Sequence, residues 1–512
     1  MFIFSTINYL PPMLYRLLML GFLLSACQSP DADSKVEEAP DHPHIIYILA
    51  DDLGWGDISV QNPEAKVGTP NIDRLAQEGV RFTDMHTPSS VCTPTRYGIL
   101  TGEYAWRGRL KRGVLYGYDL PLIPENKITV ADLLQRNGYY TAGVGKWHLG
   151  LPFTVREDSD YTERHQDSVL NDQLGTAEDV DIFQPFGAGG PTDLGFDEYY
   201  GIPASLDMAP YGYIENTGWE TPPNDSVAGE TRSPEYDQGF WRGGEASPGF
   251  DHRQVLPKIT ERAVQVIEEH GQNRSNQALF LYFPLTAPHT PWLPTEEFRG
   301  KSRAGKYGDF VMMVDATVGR VMQALEEQGM VENTLIIFTS DNGSHIDHIG
   351  EEYQHAANAD WRGQKADIHE GGHRVPFVAR WPGHIPANQT SRALGCLTDL
   401  MATTAAVVAD SLAEDVAVDS YNLLPVMLSE QQESPRESVV HHSLDGMFAV
   451  RKGDWKLILG QGSGGFTQPR RVEVAEGEPA GQLYNLANDP VEQNNQYAEE
   501  PEKVAELRAL LQ

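Results

Sequence analysis

The chain reads as an α/β protein: a large mixed, mostly parallel sheet covered by helices, with a small antiparallel-sheet subdomain at the C-terminal end. Short apolar runs of strand length alternate with amphipathic segments of helix length from Pro43 onward, as in strands buried on both faces by helical crossovers. Two of the runs, His44-Ile45-Ile46-Tyr47-Ile48-Leu49-Ala50 and Thr334-Leu335-Ile336-Ile337-Phe338-Thr339-Ser340, end in Asp51-Asp52 and Asp341-Asn342-Gly343. Ligand sites in parallel sheets lie just beyond the carboxyl ends of the strands, so the two endings point to one shared site. From Ser438 the chain changes to short strands, at 448–451 and 455–459.

The N-terminal segment is a leader. Arg16 precedes an apolar run at 17–26, too short to span a bilayer, that ends in Leu24-Ser25-Ala26-Cys27. This resembles a bacterial lipobox, which implies a signal peptide at 1–26, cleavage before Cys27, acylation of Cys27 and a protein exported and lipid-anchored in the cell envelope. Pro11-Pro12 and the lack of a basic residue before Arg16 favour Met13 as the start of translation. Residues 27–42 are acidic and rich in Pro, Ser and Ala, the composition of a flexible tether.

A catalytic domain is expected at 43–435 and the C-terminal subdomain at 436–512. Within the first, 71–79 and 129–137 read as short helices stopped by Gly79 and Gly138. Residues 279–283 read as a buried strand, 309–328 as a long amphipathic helix and the Ala-rich 398–409 as another helix. Two stretches rich in Gly, Pro, Asp and Glu, 152–193 and 215–251, are too long for plain connections and are expected to wall a substrate cleft. The chain ends in a helix at 501–511, and no internal repeat is present.

The 512 residues carry 39 Lys and Arg against 73 Asp and Glu, a formal charge of −34. Nucleic acid is excluded as a partner, because phosphate binding needs clustered positive charge. An anionic substrate would need a local cationic pocket on this acidic body. Of the three cysteines, Cys27 is assigned to acylation and Cys92 to a motif described next. Cys396 is expected to be a buried apolar residue, with no disulfide in the mature chain.

The segment Val91-Cys92-Thr93-Pro94-Thr95-Arg96-Tyr97 contains Cys-x-Pro-x-Arg and runs into Gly98-Ile99-Leu100-Thr101-Gly102. It resembles the signature that type I sulfatases present to the maturation enzyme that oxidises this cysteine to formylglycine. Gly145-Lys146-Trp147-His148-Leu149-Gly150, Ala287-Pro288-His289-Thr290-Pro291, Trp361-Arg362-Gly363-Gln364-Lys365 and Glu370-Gly371-Gly372-His373-Arg374-Val375-Pro376-Phe377 match further family segments in the expected order. Leu483-Tyr484-Asn485-Leu486 followed by Asp489-Pro490-Val491-Glu492 is similar to the family's C-terminal segment. The resemblance covers Pro43 to the C-terminus. It departs at Thr95, where most members carry Ser or Ala, a variant found in one subgroup.

The resemblance implies the alkaline phosphatase-like fold and a sulfuric ester hydrolase acting on sulfated carbohydrates. Asp51, Asp52, Asp341 and Asn342 offer an oxygen-only ligand set, which suits calcium, with magnesium second, better than zinc. The family pattern assigns these four residues and the modified Cys92 to one divalent cation. It assigns Arg96 and Lys146 to orienting the nucleophile and offsetting negative charge, His148 to proton transfer during release, His289 to general acid catalysis and Lys365 to the position beside it. Cys92 is expected at a helix N-terminus, where free backbone donors favour an anion. Asp207-Met208-Ala209-Pro210-Tyr211 resembles members acting on 6-O-sulfated galactose or N-acetylgalactosamine, and Trp106, Arg107, His345 and His348 are candidates for the sugar subsite. Two alternatives share the scaffold: a phosphodiesterase or phosphonate monoester hydrolase, and an inactive glycan-binding lipoprotein. The Gly-Lys-Trp-His-Leu-Gly and Glu-Gly-Gly segments favour sulfate over phosphate.

Overall fold

A computed structural model describes residues 42–161, 175–230, 241–345 and 353–511. The leader, Cys27, nearly all of the tether, parts of both long loops and His348 lie outside the described residues. No helix among the described residues is long and apolar enough to cross a membrane.

One sheet of ten strands organises the larger part of the molecule. In chain order these are β1 (His44–Ala50), β2 (Val80–Phe82), β3 (Tyr140–Lys146), β4 (Glu198–Ile202), β5 (Ile214–Glu215), β6 (Gly218–Trp219), β7 (Leu279–Pro284), β8 (Thr334–Ser340), β9 (Phe377–Arg380) and β10 (Gln389–Ser391). Their spatial order is β10-β2-β9-β8-β1-β7-β3-β4-β5-β6. The central block, β8 through β4, is parallel, and antiparallel pairings appear only toward the edges.

Every residue of β1 is buried, because both faces of the strand are covered. Ile45, Tyr47 and Leu49 pack with α2 (Cys92–Thr101), α3 (Val130–Arg136) and α6 (Leu400–Val407). Ile46, Ile48 and Ala50 pack on the other side with α1 (Pro70–Gln77), α4 (Val255–Asn273) and α5 (Gly305–Glu327). The period of two along a strand thus sorts one apolar run into two cores. α3 starts at a capping box between Thr129 and Asp132 and stops before Gly138, whose φ is +84°. α5 begins four residues before the expected start at Asp309. That residue lies inside the helix and turns its carboxylate back onto the N–H groups of Gly300 and Ser302, at 2.7 and 2.8 Å. The Ala-rich stretch divides into a 3-10 turn at Leu397–Asp399 and α6.

At the C-terminal end β11 (Ser438–His442), β12 (Phe448–Lys452), β13 (Trp455–Ile458) and β14 (Gln482–Asn485) form an antiparallel sheet in sequence order. Helix α7 (Pro501–Ala509) packs Val504 and Leu507 on it, and Cys396 is buried in the same cluster. The sheet is fastened beside Cys92, where the Ser90 N–H donates to the His442 carbonyl at 3.1 Å.

A buried charged seam joins the two sheets. Arg451 forks onto Asp84 at 2.6 and 2.8 Å, Arg374 reaches Asp84 at 2.8 Å, and Lys456 bridges Glu370 and Glu492 at 3.1 and 2.8 Å. Three cations therefore offset three carboxylates. Between them lie three buried histidines: His86 and His373 share a hydrogen bond of 3.0 Å between Nδ1 atoms, and the rings of His373 and His441 stack at 3.8 Å. Burial first, then His441 and Lys456, pushes His373 well below the usual imidazole range, and burial with His86 and Lys456 does the same to His441.

Candidate active site

Asp51 follows the last residue of β1 and Asp341 the last of β8, and the pairing of Ala50 with Ser340 sets them side by side. The backbone then turns at Asp52, whose φ is +66°, a left-handed conformation that Asp tolerates better than most residues. The Asp52 N–H donates to Asp341 Oδ1 at 3.2 Å, and Asn342 Nδ2 donates to Asp52 Oδ1 at 2.7 Å. The Asn342 Oδ1 is buried and has no hydrogen-bond partner among the described residues. Gly343 closes this loop against the Glu-Gly-Gly turn: its N–H bonds Gly372 O at 2.9 Å, and a Cβ there would sit 1.9 Å from Gly371 O.

Cys92 is the first residue of α2. Val91 at the N-cap has no polar side chain to occupy the first-turn N–H groups, so that end of the helix suits an anion. The sulfur of Cys92 and one carboxylate oxygen each from Asp51 and Asp341 lie within 4.8 Å of one another. One turn on, Arg96 places Nε and Nη2 on Asp341 Oδ2 at 3.0 and 2.7 Å and donates Nη1 to Lys146 O at 3.0 Å. The unusual Thr95 is fully buried with its hydroxyl on Ser89 O at 3.0 Å, so the threonine has a partner.

Lys146 ends β3 with Nζ 2.9 and 2.8 Å from the two oxygens of Asp51. The glycine before it is required by close approach, since a Cβ on Gly145 would lie 1.9 Å from Pro284 O on β7. His148 sets Nε2 2.7 Å from Leu115 O, while its buried Nδ1 has no partner among the described residues. Across the pocket Lys365 Nζ bonds Asp52 Oδ2 at 2.7 Å, and His289 Nε2 is 3.7 Å from the same oxygen. His289 Nδ1 is 2.5 Å from Thr290 O, which assigns its proton to Nδ1.

Burial acts to push the Asp51 carboxyl up, and Lys146, His289 and Arg96 outweigh it and hold the group well below the usual carboxylate range. Burial likewise raises Asp341, to about 6, with Arg96 opposing. Burial and then Lys365 lower His289, and burial with Lys146 and Arg96 holds His148 far below its ordinary value, so both rings are neutral at pH 7. The pocket therefore sets three carboxylates, Asp51, Asp52 and Asp341, against Arg96, Lys146 and Lys365. The donor set fits a hard divalent cation: its oxygens converge, and the orphaned Asn342 Oδ1 lacks the partner such an ion would supply. A dication added to a balanced pocket leaves it cationic, the local reversal an anionic substrate needs on this acidic chain.

The family model for sulfatases matches residues 43–410, the stretch that holds all ten of these residues. The chain belongs to the sulfatase family. It is 34% identical to an N-acetylgalactosamine-6-O-sulfatase of Bacteroides thetaiotaomicron, covering 92% of each chain, and 31% identical to human arylsulfatase A over 88% of this chain and 83% of that one. Among solved structures, one from work on the metabolism of multiple glycosaminoglycans by Bacteroides thetaiotaomicron superposes with a TM-score of 0.77 at 33% identity, covering 92% of this chain and 98% of the other.

Three further candidates in this sulfatase are engaged elsewhere. Trp106, partly buried, stacks on Tyr104 at 5.4 Å and meets Phe448 edge-on, packed against the core of the C-terminal subdomain. Arg107 forks onto Asp419 at 2.6 Å from both nitrogens. Both candidates for the sugar subsite thus have structural partners, Arg107 with 44% of its side chain exposed. His345 lies beside the ring of Phe466 at 5.2 Å. Asp207 is a site neighbour with no role assigned from its segment: its Oδ1 is 4.0 Å from His289 Nδ1, and its other oxygen pairs with Arg242. Arg242 comes from the second long loop, and nothing in the loop's composition singles it out.

Proposed function

We propose that this sulfatase removes sulfate from sulfated carbohydrates, with units bearing 6-O-sulfated N-acetylgalactosamine or galactose as the first substrates, and that Cys92 works as formylglycine. The deciding observation is the position of Cys92: the first residue of a helix, buried, beside Asp51 and Asp341 and facing a set of fixed cations. Relatives named for N-acetylgalactosamine-6-sulfate support the substrate class. The lipobox-like Cys27 supports export and a lipid anchor that would hold the enzyme in the cell envelope.

Asp51, Asp52, Asp341 and Asn342 would hold a calcium ion, which supplies Lewis acidity toward a sulfate oxygen. A hydrated formylglycine supplies one hydroxyl to attack sulfur and a second whose deprotonation expels the sulfate and restores the aldehyde. The chain's own residues do the rest. Arg96 and Lys146 fix the reacting end of α2 and offset the negative charge that grows on the sulfuryl oxygens. His289 keeps Nδ1–H on Thr290 O and turns Nε2 toward the bridging oxygen; to act as the general acid it must first take up a proton at Nε2, which the charged Lys365 beside it, on the same Asp52 oxygen, can supply and the leaving alcohol then receives. His148, neutral with a free Nδ1, is placed to accept the proton lost in the release step.

The test is sulfate release, read by ion chromatography, from a panel of sulfated mono- and oligosaccharides, with protein co-expressed with a formylglycine-generating enzyme. Release that disappears in Cys92→Ala supports the proposal. Phosphoester cleavage without sulfate release, formylglycine being confirmed by mass spectrometry, would move the phosphodiesterase reading ahead.

A further inference from the structure

The rim of the pocket carries a group of cations that the reaction at sulfur does not use. Arg470 and Arg471 share one carboxylate, Asp445: Arg470 forks onto it, and Arg471 reaches it at 3.6 Å and its carbonyl at 2.7 Å. The two guanidinium side chains are 45% and 57% exposed. Lys111 and Arg112 stand across the same turn. The Gly113 N–H bonds Leu444 O at 2.9 Å, a Cβ on Gly446 would come 3.1 Å from Arg112 Cβ, and the buried Arg112 Nε has no hydrogen-bond partner among the described residues.

This rim is tied to the catalytic residues from two sides. Leu115, two residues after Gly113, donates its N–H to Thr93 on α2 at 3.1 Å and accepts the His148 ring through its carbonyl. On the other side Ala366, next to Lys365, accepts from the Leu444 N–H at 3.0 Å, and a Cβ on Gly465 would press to 2.3 Å against Ala366. Asp367 holds Thr467 by its N–H and hydroxyl. The next side chain, Phe466, is 39% exposed and lies against His345. An exposed aromatic ring, Arg470, Arg471, Lys111 and Arg112 thus lie on loops tied to the segments that carry Lys365 and His148, with Asp445 between the two arginines. The acidic residues that follow, Glu473, Glu476 and Glu478, are on the returning limb, which Gln461 ties to Pro479 and Gly481.

We infer that the loop 464–471 of the C-terminal subdomain, with Lys111 and Arg112, is a second subsite that holds the anionic sugar flanking the one being desulfated. Phe466 supplies a ring face for a pyranose, and the Nη1 groups of Arg470 and Arg471, the ends that Asp445 does not take, supply charged donors for a sulfate or carboxylate. On a chain of charge −34, two arginines on one carboxylate, with Lys111 and Arg112 on the facing turn, are a local inversion that selects a polyanionic chain over a single sugar. This rests on the carbohydrate reading above.

The experiment compares a sulfated monosaccharide with a di- to tetrasaccharide carrying the same terminal sulfated sugar and an adjacent sulfate or uronate. In the parent enzyme kcat/KM is higher for the oligosaccharide, and the excess shrinks as salt rises from about 50 to 500 mM. In Arg470→Gln/Arg471→Gln the oligosaccharide value falls about tenfold, while the monosaccharide value stays within about twofold. Lys111→Glu, on an exposed residue outside the loop, should lower the oligosaccharide value in the same selective way. Equal losses on both substrates, or no loss on the oligosaccharide, would overturn the inference. Calorimetric binding of the oligosaccharide to Cys92→Ala, with and without the two arginines, reads the subsite without turnover. If the parent desulfates nothing while those arginines still govern binding, the catalytic proposal fails and the subsite stands.

Discussion

Acid should loosen the seam between the two sheets while Asp51 in the pocket stays ionised, in the same range in which Asp341 takes up its proton. His373 and His441 are fully buried, neutral and held well below 6.5, whereas in the unfolded chain each titrates near 6.5. The unfolded state therefore binds more protons below that pH, so stability is fully present above 6.5 and is lost as pH falls. Between pH 7 and pH 5 the loss is about 2 kcal/mol for each ring, about 4 kcal/mol for the pair, against a total stability of roughly 5–15 kcal/mol for a folded domain. Glu492 works in the opposite direction, because burial raises its carboxyl, and the net slope lies below that sum. The seam cannot absorb the charge by itself, since Arg374, Arg451 and Lys456 already match Asp84, Glu370 and Glu492. Urea unfolding at pH 7, 6 and 5, followed by tertiary circular dichroism, measures the slope. In His441→Asn the amide can keep the bond to Thr87 O while one titration disappears, so the loss on acidification should shrink by about 2 kcal/mol. Parallel pH profiles for parent and variant would refute the reasoning.

Cys92→Ala should abolish turnover and leave the melting temperature within a few degrees, because the sulfur makes no hydrogen bond among the described residues and only a small side chain is lost; activity and differential scanning calorimetry on one preparation check both halves. Asn342→Ala removes a candidate oxygen ligand and the bond to Asp52, and should weaken calcium binding about tenfold or more by calorimetric titration, with magnesium binding weakened as well. Gly343→Ala forces a methyl to 1.9 Å from Gly371 O and should cost more than about 3 kcal/mol, seen as loss of soluble protein or a large drop in urea midpoint. Thr95→Ser should be nearly neutral, whereas Thr95→Ala should cost about 1 kcal/mol through the lost bond to Ser89 O.

Much of the pocket was legible because its residues sit where strands end. Asp51-Asp52 and Asp341-Asn342 follow apolar runs whose parallel pairing brings the two endings together, and four of the ten expected residues meet in the pocket for that reason. Helix boundaries were less legible. At Asp309 the side chain serves the preceding turn from inside α5, a use of Asp that sequence cannot tell from a cap. Trp106 and Arg107 follow closely on the active-site helix, but their partners, Phe448 and Asp419, are far along the chain, and only tertiary packing shows that they are already taken. The seam histidines were hidden for the same reason: His86, His373 and His441 come from three distant segments and carry no shared spacing.

The burial of Cys92 also sets a schedule. Cys92 is 2% exposed, closed in by Asp51, by Asp341 at the end of β8 and by the C-terminal subdomain fastened at Ser90, the last two of which follow it in the chain. An enzyme that modifies Cys92 has to meet the chain before those parts arrive. Since 245 residues separate Arg96 from its partner Asp341, a ribosome adding about 5–20 residues per second leaves an interval of roughly 12–50 s in which the thiol can still be reached. If Cys92 works as formylglycine, as proposed above, the rate of synthesis and the supply of modifying enzyme together fix what fraction of the molecules can ever become active.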